Sequence, residues 1–535
     1  MNLIQQRTVL PIAIAIFLLP IIIIEIPILQ FTHGDFAYPI DDACIHLAIA
    51  KNLAFHQVWG VSPVEFTSAA SSIVYPSLLA VIVKIVGVHL ILPFLVNLVV
   101  AIVLLVVLQK WLVRQGLSPL SQLCVLLAVI LLTPLPVIVI CGMEHTLHFL
   151  FTFLFITKFC GELERLDRFA GKTPAPHWTV YLFAALMVAT RYEGLPLIAF
   201  ACLVLLIRRR IFLSLQLGIY SIIPIVIFGI YSMYHGNFFF PNSVLIKSGA
   251  PPLTFDGLYD YFTNGLFYKL FYSVVGYNTI ATQRLLFLLP LAFLLFYKKM
   301  GQHASHKYMV LLLTAAVFTH LALTGYAAFP RYEAYMVGCV VTVMGMLTAK
   351  YGRDLFIGRP HLTFWTTCAF CLFLAFPLVL RSSDAFGKTT SGSLGTYEIQ
   401  YTSGQFLHKY YHDETVLLEA LGGASYFSDG KKLDVVGLGD VDVARAIRGN
   451  YYSVAFLDSL SKKDKVKIAV ASEYSTPPEL LQKWKKIATW QIPMHLGGYY
   501  VSFYAVDSTI APGLKKNLVE YEKYLPADER VLYYY

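Results

Sequence analysis

The residues best placed to do chemistry are two adjacent carboxylates, Asp41 and Asp42, in the stretch Tyr38-Pro39-Ile40-Asp41-Asp42-Ala43-Cys44-Ile45-His46, which follows the first long apolar run. Ionised side chains at the edge of a bilayer are costly unless they face water, a partner or a substrate, so an Asp-Asp pair there marks a functional site. One carboxylate is expected to cap the helix that begins near Ala43. The other then has no structural role and is free to act as a general base. Neighbouring residues on a helix point about 100° apart, so the two acids cannot grip one proton equally.

The elements that must carry this pair belong to a membrane protein. Of 535 residues, 57% are apolar and 14% charged, a balance that excludes an ordinary soluble domain. The net charge of +9 falls in short basic clusters between apolar runs, a topology signal and not a nucleic-acid site. No cysteine follows Cys371, so no disulfide framework braces the last third of the chain. The run from Thr8 to about Gln30 is long enough to span, lacks a small-residue cleavage site and reads as an uncleaved anchor. Residues 31–88 form a first extramembrane loop carrying the acids, with Ile73–Val88 lying in the interface. About eleven spans are expected, near 8–30, 90–109, 120–140, 143–160, 177–191, 194–207, 211–233, 283–297, 308–326, 332–350 and 362–380. This arrangement puts every basic cluster on one side, which the positive-inside rule makes cytoplasmic together with the N-terminus. Asp41, Asp42, a second large loop over 235–282 and the C-terminal region then share the opposite, extracytoplasmic face.

Four further polar islands fall on that face. Thr190-Arg191-Tyr192-Glu193-Gly194 joins two runs too short to cross upright, so their junction must dip, where its charges line a wet cavity, form an internal Arg191–Glu193 pair or serve as an interfacial anchor. Gly142-Met143-Glu144-His145 sits at a turn, Pro241-Asn242-Ser243 with Lys247 opens the second large loop, and Arg331-Tyr332 precedes the tenth span. The cations Lys247, Arg191 and Arg331 suit a lipid phosphate whose charge develops as it leaves. Glu144, His145, Tyr192, Glu193, Asn242 and Tyr332 are the candidate substrate contacts. No HExxH or paired-histidine set is present, so no metal is expected to be required.

After Arg381 the composition changes. Residues 382–396 read as a Ser/Gly/Thr-rich linker and 397–535 as a small α/β domain with a parallel sheet. Strands are expected at Thr415–Leu421, Leu433–Val436, Val466–Ala471 and Tyr499–Val506, and helices near Gln405–Tyr411, Asp442–Arg448 and Pro478–Lys486.

Taken in order, Asp41-Asp42-Ala43-Cys44-Ile45, Ala50-Lys51-Asn52-Leu53, Thr67-Ser68, Tyr75-Pro76, Gly142-Met143-Glu144, the Arg191-Tyr192-Glu193 island, Pro241-Asn242-Ser243 with Lys247, and Arg331-Tyr332 resemble the GT-C superfamily of membrane glycosyltransferases. Within it they are most similar to bacterial polyprenyl-phosphate-dependent arabinofuranosyltransferases of mycobacterial cell-wall type. Gly422-Gly423-Ala424-Ser425-Tyr426, Leu433-Asp434-Val435-Val436-Gly437-Leu438-Gly439-Asp440 and Ala444-Arg445 resemble that group's extracytoplasmic domain. The resemblance implies a mainly α polytopic enzyme, residues 1–381 being its catalytic membrane domain. It implies inverting transfer of a sugar, arabinofuranose for this group, from a polyprenyl-phosphate carrier to a glycan, lipid or protein acceptor, with no cofactor beyond that donor. A transporter or flippase is the main rival and would show internal repeats. A non-catalytic assembly protein is the second and would tolerate loss of both aspartates.

Overall fold

The computed structural model describes residues 3–168, 176–247, 259–261, 263, 289–294, 296–301, 303–324, 329–356, 361–472, 476–492, 500–526 and 529–534. Residues 283–288 and 295 of the expected span 283–297, and most of the second large loop, lie outside these residues.

The N-terminal two thirds is helical: α1 (Leu3–Phe31), α2 (Asp42–His56), α3 (Val74–Val86), α4 (Leu92–Arg114), α5 (Pro119–Leu132), α6 (Leu135–Ile140), α7 (His145–Arg168), α8 (Thr179–Thr190), α9 (Gly194–Ile207), α10 (Ile211–Tyr234), α11 (Asn242–Lys247), α12 (Leu289–Leu294), α13 (Ala304–Leu323), α14 (Ala334–Phe356) and α15 (His361–Thr396). Among the described residues six helices are long and apolar enough to cross a membrane: α1, α4, α7, α10, α13 and α14. Two of the expected spans are shorter than the apolar runs suggest, and a third, 194–207, is as short as expected. The run 120–140 breaks into α5 and α6 at Pro134, which has no amide hydrogen to continue the ladder. At 14, 12 and 14 residues, α5, α8 and α9 reach only about 18–21 Å at ~1.5 Å per residue, short of a hydrocarbon core of ~30 Å. The short α8 and α9 leave their junction well inside the bundle.

The linker expected over 382–396 is instead the second half of α15. Its small polar residues are satisfied by packing and back-bonding: the Ser382 hydroxyl donates to Leu131 O, and the Thr389 hydroxyl donates to Ala385 O at 2.6 Å. Arg381, at the same level, is ion-paired with Glu333 at 2.9 Å and donates to Leu132 O at 3.0 Å. Tertiary contacts therefore override a composition that favours coil. A π-helical turn (Tyr397–Tyr401) continues α15 directly into α16 (Thr402–Tyr410).

The C-terminal unit holds a six-stranded sheet of β1 (Val416–Leu418), β2 (Lys432–Asp434), β3 (Ile468–Ala471), β4 (Lys485–Gln491), β5 (Tyr500–Ala505) and β6 (Arg530–Tyr533), in the order β2-β1-β3-β5-β4-β6. Pairing is parallel only across β2-β1-β3; β5, β4 and β6 add antiparallel, so the sheet is mixed and not parallel as expected. The expected helix to Lys486 stops at Leu481, and β4 follows because Ile487, Thr489 and Trp490 suit a strand. Alternate side chains serve two cores. Val416, Leu418, Ile468 and Val470 pack with Phe406, Trp490 and Phe503, while Leu417 and Ala469 pack with Leu433, Leu457 and Tyr504 on the other face. Helix α17 (Gly422–Phe427), between β1 and β2, turns towards α2 and joins this unit to the start of the chain.

Candidate functional site

Helix α2 begins at Asp42, directly after a bend at Pro39 and Ile40, and its apolar positions pack inward. Asp41 takes the N-cap position but its side chain makes no capping bond, which corrects the expected role of one acid. Helical geometry then separates the pair. Asp42, Ile45 and His46 border a cavity of about 270 Å³. Asp41 does not border it and lies against the backbone of Gly422.

Two cations close on Asp42. Lys247 Nζ is 3.0 Å from Oδ1, and Arg331 Nη2 is 2.7 Å from Oδ2. Lys247 ends α11, whose first residue fixes the helix from both sides: the Asn242 amide donates to Ser68 O at 3.0 Å and its side chain donates to Leu438 O at 3.4 Å. Asn242 is therefore a brace between the first loop and the C-terminal unit, outside the cavity wall, and not the substrate contact expected. Arg331 is 5% exposed, and its Nε and Nη1 have no hydrogen-bond partner among the described residues. Burial opposes ionisation of Asp42, but Lys247 and Arg331 outweigh it and hold its carboxyl well below the usual carboxylate range. Burial and the Asp42 charge beside it raise the Asp41 carboxyl.

The opposite wall is the α8–α9 junction. Arg191, Tyr192 and Glu193 all border the cavity. Arg191 is already shared by two carboxylates: Nη1 lies 2.6 Å from Glu144 Oε1, and Nε donates to Glu193 Oε2 at 3.0 Å. Its guanidinium lies 4.6 Å from the ring centroid of Tyr332, and that of Arg331 lies 5.3 Å from the same ring, so one cavity-lining aromatic ties the two cationic centres together. Glu144 is fully buried behind this wall, takes a 2.9 Å hydrogen bond from the Ser71 hydroxyl, and holds the first loop to the junction. His145 packs its ring on Tyr332 at 5.6 Å, also behind the wall.

The structure thus brings Asp42, Arg191, Tyr192, Glu193, Lys247 and Tyr332 to one cavity with Arg331 directly behind Asp42. It places Asp41, Glu144, His145 and Asn242 outside that wall. Two histidines that sequence reasoning did not single out also border it. His46 sits one turn after Asp42, a spacing legible in the sequence, with Nε2 3.8 Å from Glu144 Oε2; burial lowers its pKa and keeps it neutral. His320, within the apolar α13, carried no such signal.

Chemically, the Asp42 centre holds two cations for one carboxylate, and Arg331 Nε and Nη1 have no partner among the described residues, so the centre has the capacity to take up a further anion.

A family model described as a domain of unknown function (DUF8728) matches residues 391–504, from the end of α15 into β5. No curated protein matches the chain in sequence. Among solved structures, the crystal structure of ArnT from Cupriavidus metallidurans bound to undecaprenyl phosphate is similar to it with a TM-score of 0.54 and 12% identity, over 93% of this chain and 98% of that one. The chain accordingly shares the fold of that structure, a bundle of apolar helices followed by a C-terminal α/β unit.

Proposed function

We propose that the protein is an inverting glycosyltransferase of the bacterial inner membrane that moves a sugar from a polyprenyl-phosphate carrier to a glycan, lipid or protein acceptor on the extracytoplasmic face. The observation that carries this reading is the surplus cation at Asp42: Lys247 and Arg331 within 3.0 Å of one carboxylate at the wall of a sugar-sized cavity. The ArnT fold, seen with a polyprenyl phosphate bound to that protein, supports it.

Asp42, not Asp41, is the general base. The acceptor oxygen forms a bond to the anomeric carbon from the face opposite the phosphate, the carbon–oxygen bond to phosphate breaks, and the leaving phosphate keeps the electron pair. The acceptor proton passes to Asp42, a single displacement that inverts the centre and needs no second catalytic carboxylate. Asp42 paired with two cations is a weak base. A phosphate entering between Lys247 and Arg331 draws both towards itself, and the Asp42 carboxylate becomes more basic just when the donor is in place. Arg191, neutralised by Glu144 and Glu193, shapes the wall instead of holding the phosphate. Glu193, Tyr192 and Tyr332 are left to meet sugar hydroxyls. Arabinofuranose, the sugar implied by the sequence resemblance, is the donor to test first.

The test is transfer from polyprenyl-phosphate sugars carrying a labelled arabinofuranose or hexose, by the purified protein in liposomes with a water-soluble acceptor. Label in the acceptor with inverted configuration is expected. No transfer from any such donor, together with uptake of a free solute into the vesicles, would replace this reading with a transporter.

A further inference from the structure

We infer that Gly422 is a positioning residue for Asp42, and that the C-terminal unit acts in the reaction by setting the depth of α2 through this glycine. The inference rests on the transferase reading for its kinetic arm and on geometry alone for the rest.

Three fastenings run along one side of α2. At its start, Gly422 is so close that a Cβ on it would lie 2.3 Å from Asp41 O and 2.7 Å from Asp41 Cβ. One turn on, Cys44 Sγ is 3.4 Å from the hydroxyl of the fully buried Tyr401. Near its end, Lys51 Nζ donates to Tyr426 O at 3.0 Å and pairs with Asp429 at 2.9 Å. Positions 41, 44 and 51 recur at helical spacing, so they form one face. Asp42, Ile45 and His46 occupy the cavity face.

The contact at Gly422 is backbone against backbone, and it is stacked on others of the same kind. A Cβ on Gly423 would lie 2.2 Å from Gln400 O, and one on Gly404 would lie 2.8 Å from Gly423 O. Helices α17 and α16 and the π-helical turn thus stack backbone against backbone, and α17 meets the start of α2 in the same way at Gly422. Such a stack cannot yield by a rotamer change. A methyl at 422 must displace α2 or the whole unit. Asp42 is the next residue after the contact, and its 2.7 and 3.0 Å pairs tolerate little displacement. Gly422 lies within the residues matched by the domain of unknown function, which gives that segment a task.

The test uses the full-length protein with Gly422→Ala, and with Gly513→Ala as the control because a Cβ at 513 meets nothing within 4 Å. Hydrogen exchange over residues 42–56, measured without substrate, is expected to quicken in Gly422→Ala and not in the control. The kcat for transfer is expected to fall roughly ten- to hundredfold, the scale of a displacement near 1 Å, with the donor KM within about threefold. If Gly422→Ala does not fold, Lys51→Met, which cuts the far fastening, decides the matter with a smaller change of the same sign. Unchanged exchange over 42–56 in the folded variants, or quickened exchange with an unchanged kcat, overturns the positioning role while leaving the transferase reading intact. Absence of transfer by the unaltered protein removes that reading instead, and the exchange comparison still tests the contact.

Discussion

Two charge clusters meet at the Tyr332 ring, and their stoichiometries are opposite. Around Asp42, two cations share one carboxylate, and Arg331 Nε and Nη1 have no partner among the described residues. Around Arg191, one cation is divided between the carboxylates of Glu144 and Glu193. Both clusters pair cations with carboxylates, and the cations of both were nominated from the sequence for the same task of holding phosphate. The balance of partners separates them: a surplus of donors invites an anion, whereas a saturated cation fixes the wall that carries it.

That contrast breaks most visibly at Asp42. Replacing it with Asn should lower transfer by about 10²–10⁴-fold, the range for loss of a general base, while the protein still inserts and folds. The assay is initial-rate transfer at matched protein levels, and near-normal rates would return the base role to another group. Next in size, Arg191→Ala strands the Glu144 and Glu193 carboxylates in a buried site, and about 3–5 kcal/mol of stability should be lost. Thermal unfolding in detergent reads this directly; a stable variant with a raised donor KM would make Arg191 a phosphate ligand after all.

Lys247→Ala sharpens the comparison, because it should spare stability and weaken donor use. Losing one charge-assisted contact of ~1.5–3 kcal/mol corresponds to a donor KM raised roughly ten- to hundredfold. A pH effect accompanies it. Lys247 holds the Asp42 carboxyl below its usual range, so removing that cation raises the Asp42 pKa. The acidic limb of kcat/KM must therefore move to higher pH, and an unmoved limb would separate Lys247 from Asp42 in function. The smallest change is expected for Asp41→Asn. The Asp41 carboxyl is raised by burial and by Asp42, so the folded state disfavours its charge. The neutral, isosteric amide should keep transfer within about threefold and leave thermal stability equal or slightly higher, the ±0.5 kcal/mol scale of a tolerated substitution.

How much of this was legible beforehand follows from the range of each signal. Local signals read well: the Asp pair, the Arg191-Tyr192-Glu193 dip forced by two short apolar runs, and the apolar helices with an α/β unit after them. Partnership across the chain was not legible. Nothing near Arg191 announces that Glu144, 47 positions earlier, takes its charge. Asn242 looked like a ligand because Pro-Asn sits on the right face, yet its side-chain amide N–H donates to Leu438 O, 196 positions away. The Ser/Gly/Thr stretch after Arg381 read as coil because propensity omits the carbonyls of Leu131 and Leu132 that anchor it. The choice between Asp41 and Asp42 needed Gly422, whose missing side chain lets the C-terminal unit occupy the face of α2 that carries Asp41.

The account turns on Lys247 and Arg331 being contested between Asp42 and a phosphate. The affinity of the purified protein for a polyprenyl monophosphate, compared between the unaltered chain and Asp42→Asn, tests this most directly. Removing the carboxylate frees both cations, so the account predicts tighter binding of the lipid phosphate by the same variant that no longer transfers sugar. Weaker or unchanged binding would contradict it.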